Sequence, residues 1–317
     1  MKILHTADWH LGIKVPSLEI SRLEEQAKIL EEIKNIIQNE KIDVILIAGD
    51  IFEVALPSVE AERVFFKFIS DVAGDLKKYI LIISGNHDSS EKIANLNVFS
   101  KVFNNRLKLF TDIKPDFVNH INEHIFTIDD VSFIGIPFIP RYAYSGEYQK
   151  IFESILLKLL EKSTDTTVLF SHDTVKGAEF SGTEVMYDDK TLDYNSISLI
   201  SEFSKVIYWA LGHIHKQQKV TEKIYYSGSI IQTNFGERDQ NKSVIVCEVK
   251  DKGTLPNITP IQIKQEVILK QYEISNSDDV EKIIEQHKTL DKESYTKIVI
   301  KTQIETSSIH KLKSEIK

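Results

Sequence analysis

Apolar residues in this chain gather into short, dense runs that alternate with longer stretches of helical spacing. Ile3 to Ala7 reads as a buried strand. In Ser21 to Gln38 (SRLEEQAKILEEIKNIIQ), Leu23, Ala27, Leu30, Ile33 and Ile37 recur at helical spacing, and Ser21 with Glu24 makes a capping box. Asp43 to Ala48 (DVILIA) predicts a second buried strand, Ser58 to Val72 a second helix, Tyr79 to Ser84 (YILIIS) a third strand and Ser90 to Phe103 a third helix. Strand and helix in alternation predict an α/β layered fold.

Further along, HIFTI and VSFIGIP read as strands around a turn at Asp129-Asp130, and Glu147 to Lys162 as a helix. TVLFS (167–171) and VIYWAL (206–211) are apolar runs of strand length, with a polar, loop-rich stretch at 173–200 between them. KIYYSGS and SVIVCEV are strand-like, and Pro256 and Pro260 punctuate the stretch after them. Beyond about Gln262 the composition shifts to lysine, glutamate and isoleucine. VILKQYEI reads as a strand, Asp278 to His287 as a helix, YTKIVIKTQI as a strand, and Ser307 to Lys317 as a helix that starts and stops. We therefore expect a large domain over residues 1–261 and a small α+β appendage over 262–317, the latter cut short.

Five of the apolar runs end in groups able to hold a metal. They are Asp8 with His10, Asp50 after Gly49, Asn86-His87-Asp88 after Gly85, His172, and His213 with His215 after Gly212. Alone, an Asp-x-His, a Gly-Asp turn or a single histidine recurs by chance. In this order, each at the end of an apolar run, they read as one site, because ligands in α/β sheets bind beyond the carboxyl ends of strands. Carboxylates, imidazoles and an amide oxygen without thiolate suit Mn²⁺, Fe²⁺, Zn²⁺ or Co²⁺. The donors are too many for one ion, and Asp50, from a central strand, is the natural bridge between two. A pair of ions about 3.5–4 Å apart clamps a phosphate ester and activates water.

Composition narrows this reading only slightly. The chain has 317 residues, 42% hydrophobic and 27% charged, enough to bury a large core without staples. Its one cysteine, Cys247, forbids an intrachain disulfide and suits a reducing cytoplasm. No apolar run approaches the roughly 20 residues of a membrane helix, and no secretory signal opens the chain, so we expect a soluble cytoplasmic protein with no membrane partner. The net charge of −8 weighs mildly against nucleic acid. Aspartates awaiting metal inflate that count, and bound cations or local basic patches offset it.

The pattern D-x-H, G-D, G-N-H-D, H, G-H-x-H resembles the calcineurin-like metallophosphoesterases. HTADWHLG, AGDIFE, SGNHDS, ALGHIH and YYSGSIIQTNFGE resemble more closely the blocks of the SbcD / Mre-eleven family of double-strand-break repair nucleases. The resemblance covers about residues 1 to 250, and the segment after 262 looks like that family's capping domain. It implies a layered αββα metallophosphoesterase sandwich with a small α+β capping domain that binds DNA. It implies a first metal held by Asp8, His10, Asp50 and His215, and a second held by Asp50, Asn86, His172 and His213, both most consistent with Mn²⁺. His87 is implied to contact the scissile phosphate, with Asp88 orienting its ring. The implied activities are 3′→5′ exonuclease and single-strand endonuclease.

The implied partners are DNA, a second copy through helices near 58–72 and 90–103, and an SbcC-type ABC coiled-coil ATPase bound by a C-terminal segment that this chain stops short of. Lys14, Arg141, Lys216, Lys219, Arg238 and Lys242 are candidates for DNA phosphates, whereas Trp9 and Trp209 read as core. Two positions depart from the family's pattern: Glu53, where some members carry histidine and others aspartate, and Asp173, where glutamine or glycine is expected. The rivals are a protein phosphatase or small-molecule phosphodiesterase of the same superfamily, and a non-catalytic scaffold for DNA or the ATPase. GDIFEVA in place of G-D-x-x-D-R-G disfavours the phosphatase, and the full set of ligand types disfavours the scaffold.

Overall fold

Strands that are apolar on both faces must be covered on both faces, and the architecture does this with two facing sheets between layers of helices. The computed structural model describes all residues except 17, 112, 114–116, 144–145, 182–190, 277, 291–292 and 317, and gives the backbone alone at 118 and 141. Strands β1 (Lys2–Thr6), β2 (Val44–Ala48), β3 (Tyr79–Ile83) and β4 (Leu107–Phe110) run parallel. A second sheet holds β5 (Ile125–Ile128), β6 (Val131–Ile136), β7 (Thr167–Ser171), β8 (Val206–Leu211), β9 (Gln218–Lys219) and β10 (Ile224–Tyr226), in the order β5-β6-β7-β8-β10-β9. The chain then returns to the first sheet with β11 (Ser243–Glu248) and β12 (Asn257–Gln262), completing the order β12-β11-β1-β2-β3-β4.

Side-chain alternation along each strand sorts three cores. Val44, Leu46 and Ala48 of β2 face the second sheet and meet Phe133, Val168, Phe170 and Ala210. Ile45 and Ile47, on the opposite face, pack under α1 (Leu23–Asn39) and α2 (Val59–Ile69), against Ile33, Ile37, Phe65 and Phe68. On the far side of the second sheet, Leu169, Trp209 and Leu211 are covered by Phe152, Leu156 and Leu159. These last three belong to a helix that follows two short ones, α3 (Ser90–Ala94) and α4 (Phe117–His120), and is therefore α5 (Tyr148–Leu160). A one-turn α6 (Tyr194–Ile197) precedes β8. Trp9 and Trp209 are both fully buried, with indole N–H donated to Thr6 and Ser171. His5 is sealed between the sheets against Tyr208 Oη and Leu211 O, and burial pushes its pKa down to about 3.

Residues past the first sheet build a separate two-stranded unit. β13 (Val267–Ile274) and β14 (Glu293–Ile300) pair in parallel, joined across α7 (Asp279–Lys288) and followed by α8 (Thr306–Glu315). Ile274, Val280, Ile283, Ile284 and Leu312 are its small core. It is anchored by Leu269 N–H donating to Gln232 Oε1 (2.8 Å), by the Lys28–Glu266 ion pair (2.7 Å) and by Arg22 over the ring of Tyr295.

Several elements differ from the pattern-based reading. The capping box at Ser21 does not form. Arg22 occupies the N-cap and its buried guanidinium turns back to Glu25 and to Gln232 O. The helix expected over 90–103 breaks after one α-helical turn into a 3₁₀ turn at Asn95–Phe99. The helix from Ser58 keeps its cap, with Ser58 Oγ accepting from Ala61 N, but relaxes into a π-helical turn at Ser70–Asp75. Pro260 lies inside β12, an edge strand, where the lost N–H costs the ladder nothing. Among the described residues, no helix is long and apolar enough to cross a membrane.

Candidate dinuclear metal centre

The strand tips meet. β1, β2 and β3 are neighbours in the first sheet and β7 and β8 in the second, so all five expected tips open at one end of the sandwich. The loops there are sharply bent. Asp8, His10, Asp50 and His213 have φ of 52°, 46°, 49° and 87°, a region side chains other than glycine rarely occupy and one that clusters at functional sites. Tight packing explains the motif glycines. A Cβ on Gly85 would strike the Asp50 carboxylate and backbone, and one on Gly212 would strike the Ala48 carbonyl.

The side chains form two buried, overlapping donor sets, with a third at the cleft edge. Asp8, His10 and His215 bring ligand atoms within 4.8 Å of one another, as do Asp8, Asp50 and His172, and likewise His10, Glu53 and His87. His10 Nε2 points at His215 Nε2 across 3.1 Å. Asp50 Oδ2 lies 3.3 Å from His172 Nε2 and 3.7 Å from His10 Nε2, between the two sets. Asn86 Oδ1 is 3.0 Å from both His172 Nε2 and His213 Nδ1. Every residue expected as a ligand is thus in the cluster.

The atoms facing away from the centre are also engaged. His172 Nδ1 donates to Ala48 O (2.8 Å), which turns Nε2 inward. His215 Nδ1 meets Glu237 Oε1 (2.9 Å) and Thr233 Oγ1 (3.0 Å). Glu237 is buried and paired with buried Lys242 at 2.6 Å, and Lys242 also donates to His215 O. His10 Nδ1 lies 2.9 Å from a carboxylate oxygen of Glu53. Asp8 accepts the backbone N–H of His213 (2.9 Å), tying the β1 tip to the β8 tip. Such outer partners set the tautomer and raise the basicity of a ligating imidazole.

Charge in the site follows the same plan. Burial opposes a charged His172, yet Asp50 and then Asp8 hold its pKa up at about 10. Burial likewise opposes a charged His10, and Glu53 with Asp50 and Asp8 lifts it to about 9. Asp50 stays well below the usual carboxylate range despite its burial, because His172 and His10 face it. The surrounding groups therefore stabilise positive charge at the centre. With imidazole, carboxylate and amide donors aimed inward and no thiolate, the residues fit two divalent cations.

His87 borders the cleft of about 330 Å³ into which the donors open, its ring centroid 4.8 Å from that of His10. Its Nδ1 bonds to Glu53 O (2.7 Å). The expectation that Asp88 orients this ring is corrected here: the Asp88 carboxylate accepts N–H groups of Ile51, Phe52 and Gly85 and so holds the loops rather than the imidazole. Burial, with the Asp50 charge, pushes the Asp88 pKa upward. Asp173, the other unusual position, turns from the centre and accepts from Tyr148 Oη (2.5 Å).

The basic candidates do not converge. Lys14 lines the cleft and pairs with Glu19. Lys216 pairs with Glu179, Lys219 with Glu222 and Arg238 with Asp239, at half-buried or exposed positions. The Arg141 side chain lies outside the described residues. Lys242 is corrected from surface to core, since it is sealed against Glu237. Glu237 and Glu53 are the outer partners that motif reading did not assign. Both carried a signal: Glu53 departs from the family's pattern, and Glu237 closes the YYSGSIIQTNFGE block.

The calcineurin-like phosphoesterase family model matches residues 1–217. The SbcD component of nuclease SbcCD from Staphylococcus epidermidis is 32% identical over 308 residues, covering 93% of this chain and 77% of that protein. Its namesake in Staphylococcus saprophyticus is 29% identical over 316 residues, covering 95% and 78%. A dimetal phosphatase from Danio rerio is similar in structure with a TM-score of 0.49 at 11% identity, over 83% of this chain and 99% of that one. The protein is a member of the calcineurin-like phosphoesterase family, of the SbcD nuclease type.

Proposed function

We propose that this chain is a Mn²⁺-dependent DNA nuclease, a 3′→5′ exonuclease on duplex ends and an endonuclease on single strands. The observation that carries the proposal is the convergence of five strand tips around Asp50, whose carboxylate lies between His172 and His10, at a cleft bordered by His87. The first ion is assigned to Asp8, His10, Asp50 and His215, and the second to Asp50, Asn86, His172 and His213. When bound, the ions supply Lewis-acid polarisation of the phosphodiester and activation of the attacking water.

The chain's own residues do the rest. Glu53 O fixes the His87 ring through Nδ1, so Nε2 faces the cleft to hydrogen-bond the phosphate and protonate the leaving oxygen. Asp88 clamps the Asp50 and Gly85 loops that carry the shared ligand and His87. Lys14, at the cleft, is the nearest basic candidate for a flanking phosphate. A nuclease that ignores sequence needs backbone contacts rather than base contacts. The unit over 262–317 is assigned a role in holding DNA, and an SbcC-type ATPase and a second copy of this chain are assigned as partners.

The test is end-labelled duplex DNA with Mn²⁺, run beside a bis-aryl phosphodiester, with and without the ATPase. His87→Ala should lower the rate by roughly 10²–10⁴-fold, the usual worth of a positioned acid, with Mn²⁺ binding retained. Cleavage of the small ester but never of DNA would overturn the nuclease reading, and full activity in His87→Ala would overturn the role of His87.

A further inference from the structure

Glu53 follows the shared ligand Asp50 by three residues, on a loop stitched to the first ligand loop. Leu11 N–H donates to Ile51 O (2.9 Å) and Glu53 N–H to Leu11 O (3.2 Å). From that position one residue reaches two imidazoles. Its carboxylate is 2.9 Å from His10 Nδ1, and its carbonyl oxygen is 2.7 Å from His87 Nδ1. The Glu53 carbonyl holds the His87 ring from behind, the Glu53 carboxylate faces His10 Nδ1 across an ion-pair contact, and His10 Nε2 lies opposite His215 Nε2.

The two donor sets differ in this respect. In the first, each histidine has a carboxylate behind it, Glu53 for His10 and Glu237 for His215. In the second, His172 Nδ1 faces the Ala48 carbonyl instead of a carboxylate. A carboxylate behind a ligating imidazole strengthens it as a donor and fixes its tautomer. We propose that Glu53 is a positioning residue that tightens the first metal site selectively, through His10, while its main chain orients His87. The proposal rests on the two-metal reading of the centre but not on DNA as substrate. The Glu53 side chain is about one-third exposed (34%) and Glu237 is fully buried, so replacing Glu53 disturbs the core less than replacing Glu237 would, while removing a counter-charge from His10.

The experiment is a calorimetric titration of the metal-free full chain with Mn²⁺, followed by electron paramagnetic resonance, for the unaltered protein, Glu53→Ala and Glu53→Gln. We expect two equivalents in all three. In Glu53→Ala one equivalent should weaken by about 10–100-fold, the usual range for an outer partner, with the other unchanged. Glu53→Gln, which keeps an acceptor for His10 Nδ1, should recover part of the loss. The metal-free chain should keep a cooperative melting transition, its midpoint lowered only as far as the lost Glu53–His10 pair requires, and the spin-coupled signal should give way to a mononuclear one at low Mn²⁺. Turnover of a bis-aryl phosphodiester should return at saturating Mn²⁺, because the backbone arm to His87 survives the substitution.

Unchanged affinity at both sites would overturn the proposal. Loss of a full equivalent would overturn it by making Glu53 a ligand, and failure of turnover to recover would overturn it by making Glu53 a catalytic group. If the metal results hold and DNA is never cut, Glu53 keeps its role and the nuclease reading falls.

Discussion

At the scale of single residues, the centre depends on groups that never face it. His215 is turned by Glu237, and Glu237 is neutralised by Lys242, whose ammonium also holds the His215 carbonyl. Both charges are buried and each is the other's main compensation. Glu237→Ala should therefore cost about 3–5 kcal/mol in chemical denaturation, the usual penalty for stranding a buried charge, and should weaken Mn²⁺ binding as well. Pairing it with Lys242→Met should recover most of the stability but not the metal affinity. Recovery of both would mean that Glu237 is structural only. The block YYSGSIIQTNFGE ends on Glu237, but nothing in it shows the pairing with Lys242. Glu237 sits in the polar stretch FGERDQN and Lys242 five residues on, and both look like solvated surface until the 3₁₀ turn at Phe235–Glu237 folds them inward. The inward ligands were legible for the opposite reason. Asp8, His10, Asp50, His172 and His213 each interrupt or end an apolar run, where an ionisable group has no bland use.

Elements carry the second level of the account. The tips can meet only if the sheets approach closely at that end, and Gly212 is where they do. Its α-carbon hydrogen faces the Ala48 carbonyl of β2 and the His172 ring of the β7 tip. Because its φ is not in the left-handed region, Gly212→Ala tests packing alone. It should destabilise the fold by about 1–3 kcal/mol, as overpacking does, and separate the two donor sets, read as a lowered melting midpoint and loss of one Mn²⁺ equivalent. A stable variant with two intact sites would contradict this. The strands around this contact were readable from sequence because both faces of each are buried, which gives continuous apolar runs. The break of the 90–103 helix, the short strands β4 and β9 and the edge strand β12 were not readable. The three strands are short or weakly alternating; β9 and β12 are edge strands paired with strands close by in the chain, and β4 is held by β3.

For the molecule as a whole, α2 and the turns after it leave apolar surface uncovered. Val98 and Val102 are 71% and 70% exposed, and Phe66 and Phe99 border a groove beside them. This surface is the one assigned to a second copy. Val98→Asp with Val102→Asp should convert a dimer to a monomer in sedimentation, while leaving hydrolysis of a small phosphodiester intact. A wild-type monomer at micromolar concentration would contradict the assignment. The same face shows why the reading from sequence was partial here. The apolar residues of 90–103 were visible, but only the broken backbone decides which of them turn outward. The two-stranded unit at the other end touches the loop carrying Gln232, five residues before Glu237. The unit therefore rests both on this loop and on α1, through Lys28–Glu266 and Arg22 over Tyr295.

The central claim is that two ions sit between five strand tips with Asp50 shared. Anomalous diffraction from crystals of the full chain soaked in Mn²⁺ tests it most directly. The account predicts two peaks about 3.5–4 Å apart, with Asp50 touching both, Asp8, His10 and His215 on one, and Asn86, His172 and His213 on the other. A single peak, or a pair that leaves Asp50 to one side, would contradict it.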